Sequence, residues 1–450
     1  MRKGILKFIL LGALLGQTLA AADGLLENSV LQTDDDPATQ EDVAALRSDI
    51  QQVRDEFQRK YDLNTAATGR ALRISGIVQA RLTVPSQATL NTYNSFQVPL
   101  ATLTFRGSLK KDYDDWRDLD YVVSLGGASP APAGSNWPQL LDAYLNYNIL
   151  PANQSDSARL AVVFGQQTKP FGLEASALED KKPVINQAQF VAPLGFVARD
   201  VGIILKGDLF PSNDFGYGYR VPLLEYAFGV VNGNGFNQAN GNSSASTGKD
   251  QFDTLGRIVI NPIAWNIGDG QINYNDWLRG FSIGASVYEG TARLWTTTEN
   301  TSGIATGLKN RAGFDVSYVR TPFGFTYEAI TGLDEKTLTT NPVTAERYNV
   351  RSKSETITLF WTIGEQFVPG YRNQSRNDDW WPVSWEPFAR FDNWNADTSD
   401  GDSNKEIKTL GLNVFFAETT KFQLNYSVAN QKSAEIKNAA ETIAQFQFGF

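Results

Sequence analysis

The sequence predicts an all-β fold: a 16-stranded antiparallel transmembrane β-barrel preceded by a short N-terminal coiled-coil helix. Three observations carry this expectation. The chain ends on AQFQFGF, where Phe446, Phe448 and Phe450 alternate with Gln447 and Gly449. Termini are ordinarily polar and frayed, so an alternating aromatic end reads as a strand whose two faces meet different solvents. From Leu72 onward the apolar period is two, and 16 segments of membrane-crossing length follow one another. Short connections alternate with long ones, and aromatics gather at segment ends, as an interfacial girdle requires.

Residues 1–22 read as a secretory signal peptide. Arg2, Lys3 and Lys7 precede an apolar run from Phe8 to Leu15, and Ala20 and Ala22 form a cleavage pattern. That run is too short for a spanning helix, which needs about 20 apolar residues. Loss of the three cations lowers the formal net charge from -9 to -12, a balance that argues against nucleic acid as a partner. A linker, 23–37, closes on Asp34, Asp35, Asp36 and Pro37. Over 38–63, Val43, Leu46, Ile50, Val53 and Phe57 recur at spacings of three and four with charged residues between them, a heptad seam. So short a helix is marginal alone. The seam therefore predicts an oligomerising periplasmic coiled coil; a helix packed on its own domain is the alternative.

The barrel occupies 72–450. Its strands fall at 72–84, 96–109, 117–127, 138–149, 157–166, 199–210, 221–232 and 251–262, then at 279–289, 310–320, 323–331, 354–364, 384–394, 406–418, 421–430 and 441–450. The pleat is plain near the end: Phe422, Leu424, Tyr426 and Val428 oppose Gln423, Asn425 and Ser427, after a turn at Thr419-Thr420. Hairpins in series give an up-and-down sheet. A soluble β-sandwich also has one apolar face, but these strands exceed its usual length. With the coiled coil and Phe450 on one side, the loops 168–198, 233–250, 290–309 and 332–351 lie on the other. The long connections 263–278 and 365–383 carry Trp265, Trp277, Trp380 and Trp381, expected in the inner girdle or a flap. Phe446, Phe448 and Phe450 then touch outer-membrane lipid at the lower rim and serve as an assembly signal.

Composition excludes much chemistry. With no Cys and no His, thiolate catalysis, disulfides, zinc–thiolate sites and the commonest general base are ruled out. No metal, cofactor or enzymatic activity is expected.

The segment FGQQTKPFGLE (164–174) closely resembles the motif opening the third external loop in the phosphate-selective porin O and P family. RISGIVQARL is similar to that family's first strand, LLDAYLNYN to its fourth, ARDVGIILKG to the strand after the folded-in loop, TIGEQFVPGY to its twelfth and WEPFARFDN to its thirteenth. The resemblance implies a homotrimeric porin whose third loop, here 168–198, enters the lumen and forms the constriction. It also implies small hydrophilic solutes or anions as cargo. The alternatives are a phosphate-selective channel and an envelope-tethering protein in contact with peptidoglycan.

Selectivity depends on charges inside the barrel, which the pleat assigns. Inward cations are Arg73, Arg81, Arg106, Arg159, Lys206, Arg257, Arg311, Arg390 and Lys421. Inward anions are Asp118, Asp120, Asp142, Asp200, Glu225, Asp253, Asp315, Glu328, Glu386 and Asp392. The loop adds Lys169, Lys181 and Lys182 against Glu174, Glu179 and Asp180. A near-neutral lumen is the expectation. Pore-lining candidates are Arg73, Arg81, Arg106, Asp142, Lys169, Glu174, Lys181, Lys182 and Arg390, with Arg73, Arg81, Arg106 and Lys169 expected to face solvent. Where the family's phosphate-specific members are similar to one another in carrying Arg, this sequence has Leu100-Ala101, Gln166 and a fifth loop with Arg293 alone.

Overall fold

A computed structural model describes residues 72–450 apart from 87–92, 111–116, 129–137, 152–157, 179–180, 198, 215–218, 241–250, 266–276, 295–305, 321, 338–345, 365–381, 418 and 432–438. The signal peptide, linker and coiled-coil seam lie outside the described residues, as do Trp380 and Trp381.

Sixteen strands close into one antiparallel barrel. The first eight are β1 (Arg73–Pro85), β2 (Ser95–Lys110), β3 (Leu119–Ala128), β4 (Gln139–Pro151), β5 (Ala158–Gln167), β6 (Asp200–Asp214), β7 (Tyr219–Val231) and β8 (Asp253–Ile260). The rest are β9 (Phe281–Arg293), β10 (Thr306–Arg320), β11 (Phe323–Thr337), β12 (Arg347–Trp361), β13 (Ser384–Asn395), β14 (Asn404–Phe415), β15 (Lys421–Gln431) and β16 (Ala439–Gly449). Beyond Thr362, Ile363–Gly364 continues β12 alongside β13. Each strand pairs with its sequence neighbours, and β16 closes on β1 from Ile77↔Gly449 to Pro85↔Glu441. Closure leaves no unpaired edge, the condition for a sheet to cross a membrane.

The last residue completes that seam. Phe450 and Gly76 exchange two backbone hydrogen bonds, each 3.0 Å, and the Phe450 ring lies over Gly76. Phe446, Phe448 and Phe450 are exposed on the outer face, while Gln445 and Gln447 are buried inside. Further aromatics follow the same rim: Phe281, Tyr318, Phe323 and Trp361 stand in a row with ring centroids 6.3–6.4 Å apart. This is the girdle and the lipid-facing band of a membrane barrel.

Several boundaries differ from expectation. The turn between β14 and β15 spans 416–420 rather than two residues, with the Phe416 and Ala417 amides both donating to the Thr420 carbonyl. Strands β10, β11 and β12 reach to Thr306, Thr337 and Arg347, well into what polarity had marked as loop. Above the lipid band an outward residue need not be apolar, so the alternation fades while the hydrogen-bond ladder continues.

The third external connection, 168–199, turns inward. Phe171, Phe190, Val191, Leu194 and Phe196 are almost wholly buried, clustered with Val231 of β7, Leu255 of β8, Tyr288 of β9, Ile330 of β11 and Trp394 of β13. Phe171 stacks on Phe196 at 4.2 Å, and Phe196 meets Tyr288 edge-on at 6.0 Å. The barrel thus holds a small hydrophobic core inside its lumen. Each large side chain so buried contributes roughly 1.5–3 kcal/mol.

Candidate functional site

The loop is fixed to one arc of the wall by polar contacts that flank this core. Its PFGLE turn presents three successive amides: Gly172 donates to Ser286 Oγ (3.0 Å), while Leu173 and Glu174 donate to the Glu328 carboxylate (2.9 and 3.2 Å). Gly172 has φ +62°, and a Cβ there would collide with Glu328 Oε1. Only glycine fits that turn without strain. Ser286 also accepts from Arg257, whose guanidinium grips Asp315 through two bonds of 2.6 and 3.0 Å. Gly284 leaves the space in which the Asp315 carboxylate lies.

Arg390 of β13 is the central tie. It donates to Glu174 Oε1 (3.4 Å), to the Asn186 carbonyl (3.1 Å) and to Asp392 Oδ1 (3.0 Å). Farther round, Asn413 of β14 donates to the Pro183 carbonyl (2.9 Å) and Lys421 of β15 to the Lys182 carbonyl (2.7 Å). Asn186 reaches Glu441 of β16 at 3.2 Å. At the loop's base, Lys169 donates to the Gly195 carbonyl (2.9 Å) and pairs with Asp200 (3.7 Å).

Between the loop and the opposite arc, β1 to β6, lies an open cavity of about 1000 Å³. Its charged border comprises Arg81, Arg106, Lys182, Arg199 and Lys206 against Asp142 and Glu174. Arg199 pairs with Asp142 at 3.4 Å, and Arg390 engages Glu174. Arg81 donates to Gln445 at 2.9 Å. Among the described residues, no group of three or more His, Cys, Asp or Glu is placed to hold a metal ion.

Of the sequence candidates, Arg81, Arg106, Asp142 and Glu174 border this cavity, and Lys182 adjoins it although buried, at 5% exposed. Arg73 is exposed at the start of β1, in register opposite Arg106 but beyond the cavity border, and Lys181 is exposed away from it. Two assignments are corrected. Lys169 is 4% exposed and closes the loop's base, and Arg390 is 3% exposed beneath the loop. Both meet carboxylates that the loop covers, so neither faces the channel. Burial removes charge of both signs from the lumen, Asp200, Asp253, Asp315, Glu328, Glu386 and Asp392 on one side and Lys169, Lys182, Arg311, Arg390 and Lys421 on the other, while cations outnumber carboxylates at the cavity border. Arg199 and Tyr144 border the cavity unforeseen. Arg199 adjoins the loop, where period-two parity gives no direction, and Tyr144 carries no formal charge.

No protein-family model matches the sequence, and no curated protein matches it. Solved structures do. The outer-membrane channel DcaP of Acinetobacter baumannii aligns at 11% identity over 84% of this chain and 97% of its own, TM-score 0.49. OprB of Pseudomonas putida aligns at 10% identity over 86% and 96%, TM-score 0.49. The anion-selective porin from Comamonas acidovorans aligns at 10% identity over 84% of this chain and 99% of its own, TM-score 0.52. At such identity the likeness is one of fold, and the fold this chain shares is that of an outer-membrane porin.

Proposed function

We propose that this chain is an outer-membrane porin, a channel for passive diffusion of small hydrophilic solutes, with a modest preference for anions. The observation that carries this is the cavity of about 1000 Å³ left between the inward loop and the β1–β6 arc. A sealed barrel core would have no such space. The cationic excess at its border favours anions, but the charges are spread along the wall. One unit charge about 10 Å from the ion path changes the energy by only ~0.4 kcal/mol in water. Discrimination between chloride and potassium should therefore stay within about an order of magnitude and fade as salt shortens the Debye length below about 10 Å.

Phosphate selectivity, which the resemblance implies, has less support. Stripping water from phosphate takes several converging cationic donors. Gln166 stands at one matching position and is spent on structure: its amide donates to the carbonyls of Leu140 (2.6 Å) and Leu141 (2.8 Å). Leu100 at another presents an apolar side chain to the cavity. The heptad seam supports a homotrimer joined on the periplasmic side, and contact with peptidoglycan through that segment is part of the same proposal.

Conductance of the full chain in planar bilayers, with reversal potentials in asymmetric potassium chloride, tests the channel. Stepwise conductance with a small anion-directed potential is expected, and phosphate should block chloride current only at millimolar levels or above. Micromolar block would restore the phosphate channel. Cross-linking of unheated protein should give three chains.

A further inference from the structure

The cavity is two-faced. On the loop side, Leu178 is 58% exposed and Val197 46% exposed, both bordering the open space. The interior of a diffusion porin is ordinarily polar, and large apolar side chains left bare in a confined passage need a reason. Across the gap stand Arg106 and Lys206, with Tyr144 in register with Arg106 through Val122 and also on the border. The two carboxylates on the border, Asp142 and Glu174, are already held by Arg199 and Arg390, so they oppose an incoming anion less than their number suggests.

We propose that the channel favours amphipathic organic acids: solutes with one carboxylate and a hydrocarbon or aromatic body. The carboxylate tracks along Arg106 and Lys206 while the body slides over Leu178 and Val197. An inorganic anion uses only the first wall, and an organic cation only the second. This deepens the porin assignment and rests on it. A slot lined by apolar groups with a few placed polar ones is the common design of small-molecule sites.

The test is block of chloride current through the reconstituted full chain by acetate, butyrate, hexanoate and benzoate, with hexylammonium as the cationic counterpart. Hexanoate and benzoate should half-block at about tenfold lower concentration than acetate, equivalent to ~1.4 kcal/mol. The double variant Leu178→Asn, Val197→Asn should bring them back to the acetate level, with its heat-modifiable gel shift reporting that the barrel has formed. Should that variant not insert, the dependence on acyl length in the natural chain decides alone. Equal block by acetate and hexanoate would overturn the inference while leaving the channel intact. Hexylammonium matching hexanoate would also overturn it, since charge would play no part. Absence of any conductance would refute the porin itself.

Discussion

Arg390 on β13 and Arg106 on β2 both project into the barrel, yet the first is buried beneath the inward loop while the second is exposed along the cavity. The same contrast recurs at other inward residues. Glu328, Arg390, Asn413 and Lys421 hold the loop, whereas Arg81, Arg106 and Lys206 on the other side border open space. A guanidinium in the first setting must be matched by carboxylates and carbonyls, because an unpaired buried charge is costly. In the second setting water does the matching, and the charge is left to act on passing ions. Identity and facing direction are thus insufficient to assign a role. What decides it is whether another segment covers the residue.

The largest effect should come from the covered arc. Replacing Arg390 with Met strands Glu174 and Asp392, and breaking such a buried set costs about 3–5 kcal/mol. The expected outcome is release of the loop from the β13 wall, with faster amide exchange at 183–188 and larger, noisier conductance from a barrel that still runs as a folded species. Unchanged exchange there would mean the apolar core alone holds the loop. Next is Gly172→Ala. A non-glycine residue at positive φ costs about 1–2 kcal/mol, and the added methyl meets Glu328. Partial loss of the Leu173 and Glu174 amide protection is expected, with less conductance noise than Arg390→Met produces.

The open arc should respond differently. Arg106→Gln removes a charge that water already solvates, so thermal unfolding should be unmoved within ~0.5 kcal/mol. The chloride-to-potassium permeability ratio should fall about fourfold, because the ~0.4 kcal/mol of one charge at about 10 Å is lost by the anion and regained by the cation. A large loss of stability instead would place Arg106 among the covered residues and erase the contrast.

That contrast also explains what could be read in the sequence. All 16 strands were legible because lipid outside and polar groups inside impose period two on every segment, and the aromatic end at Phe450 announced the closing seam. The pleat likewise turned Arg81, Arg106 and Asp142 inward, where they border the cavity. Parity says which way a side chain points and nothing about a loop folding over it, so the cover over Arg390 could not be read, and Lys169, on the loop itself, had no strand parity to go by. One signal was present unread: Asp315 and Asp253 lie over Gly284 and Gly290, and a lumen carboxylate beside glycine on the next strand is packed flat, not solvated. The loop's own apolar content, Phe171, Phe190, Val191, Leu194 and Phe196, demanded an interior partner too, but not a particular strand.

The smallest effect belongs to neither arc. In the external turn between β13 and β14, Asp397 accepts from the Ser399 hydroxyl (2.6 Å) and the Ser399 amide (3.0 Å), which hold its carboxyl below the usual range. A depressed folded-state value means the bonds contribute fully above the unfolded carboxylate value of about 3.9 and are lost as pH falls through the folded one. Protection of the Ser399 amide, its exchange relative to an unstructured amide at the same pH, should therefore be flat from pH 7 to 5 and fall only below about pH 4. Asp397→Asn should abolish that acid step. Because Asp397 is not among the residues bordering the cavity, conductance should be the same in the variant at every pH. A conductance change in Asp397→Asn would tie this turn to the channel and blur the boundary between wall that holds and wall that selects.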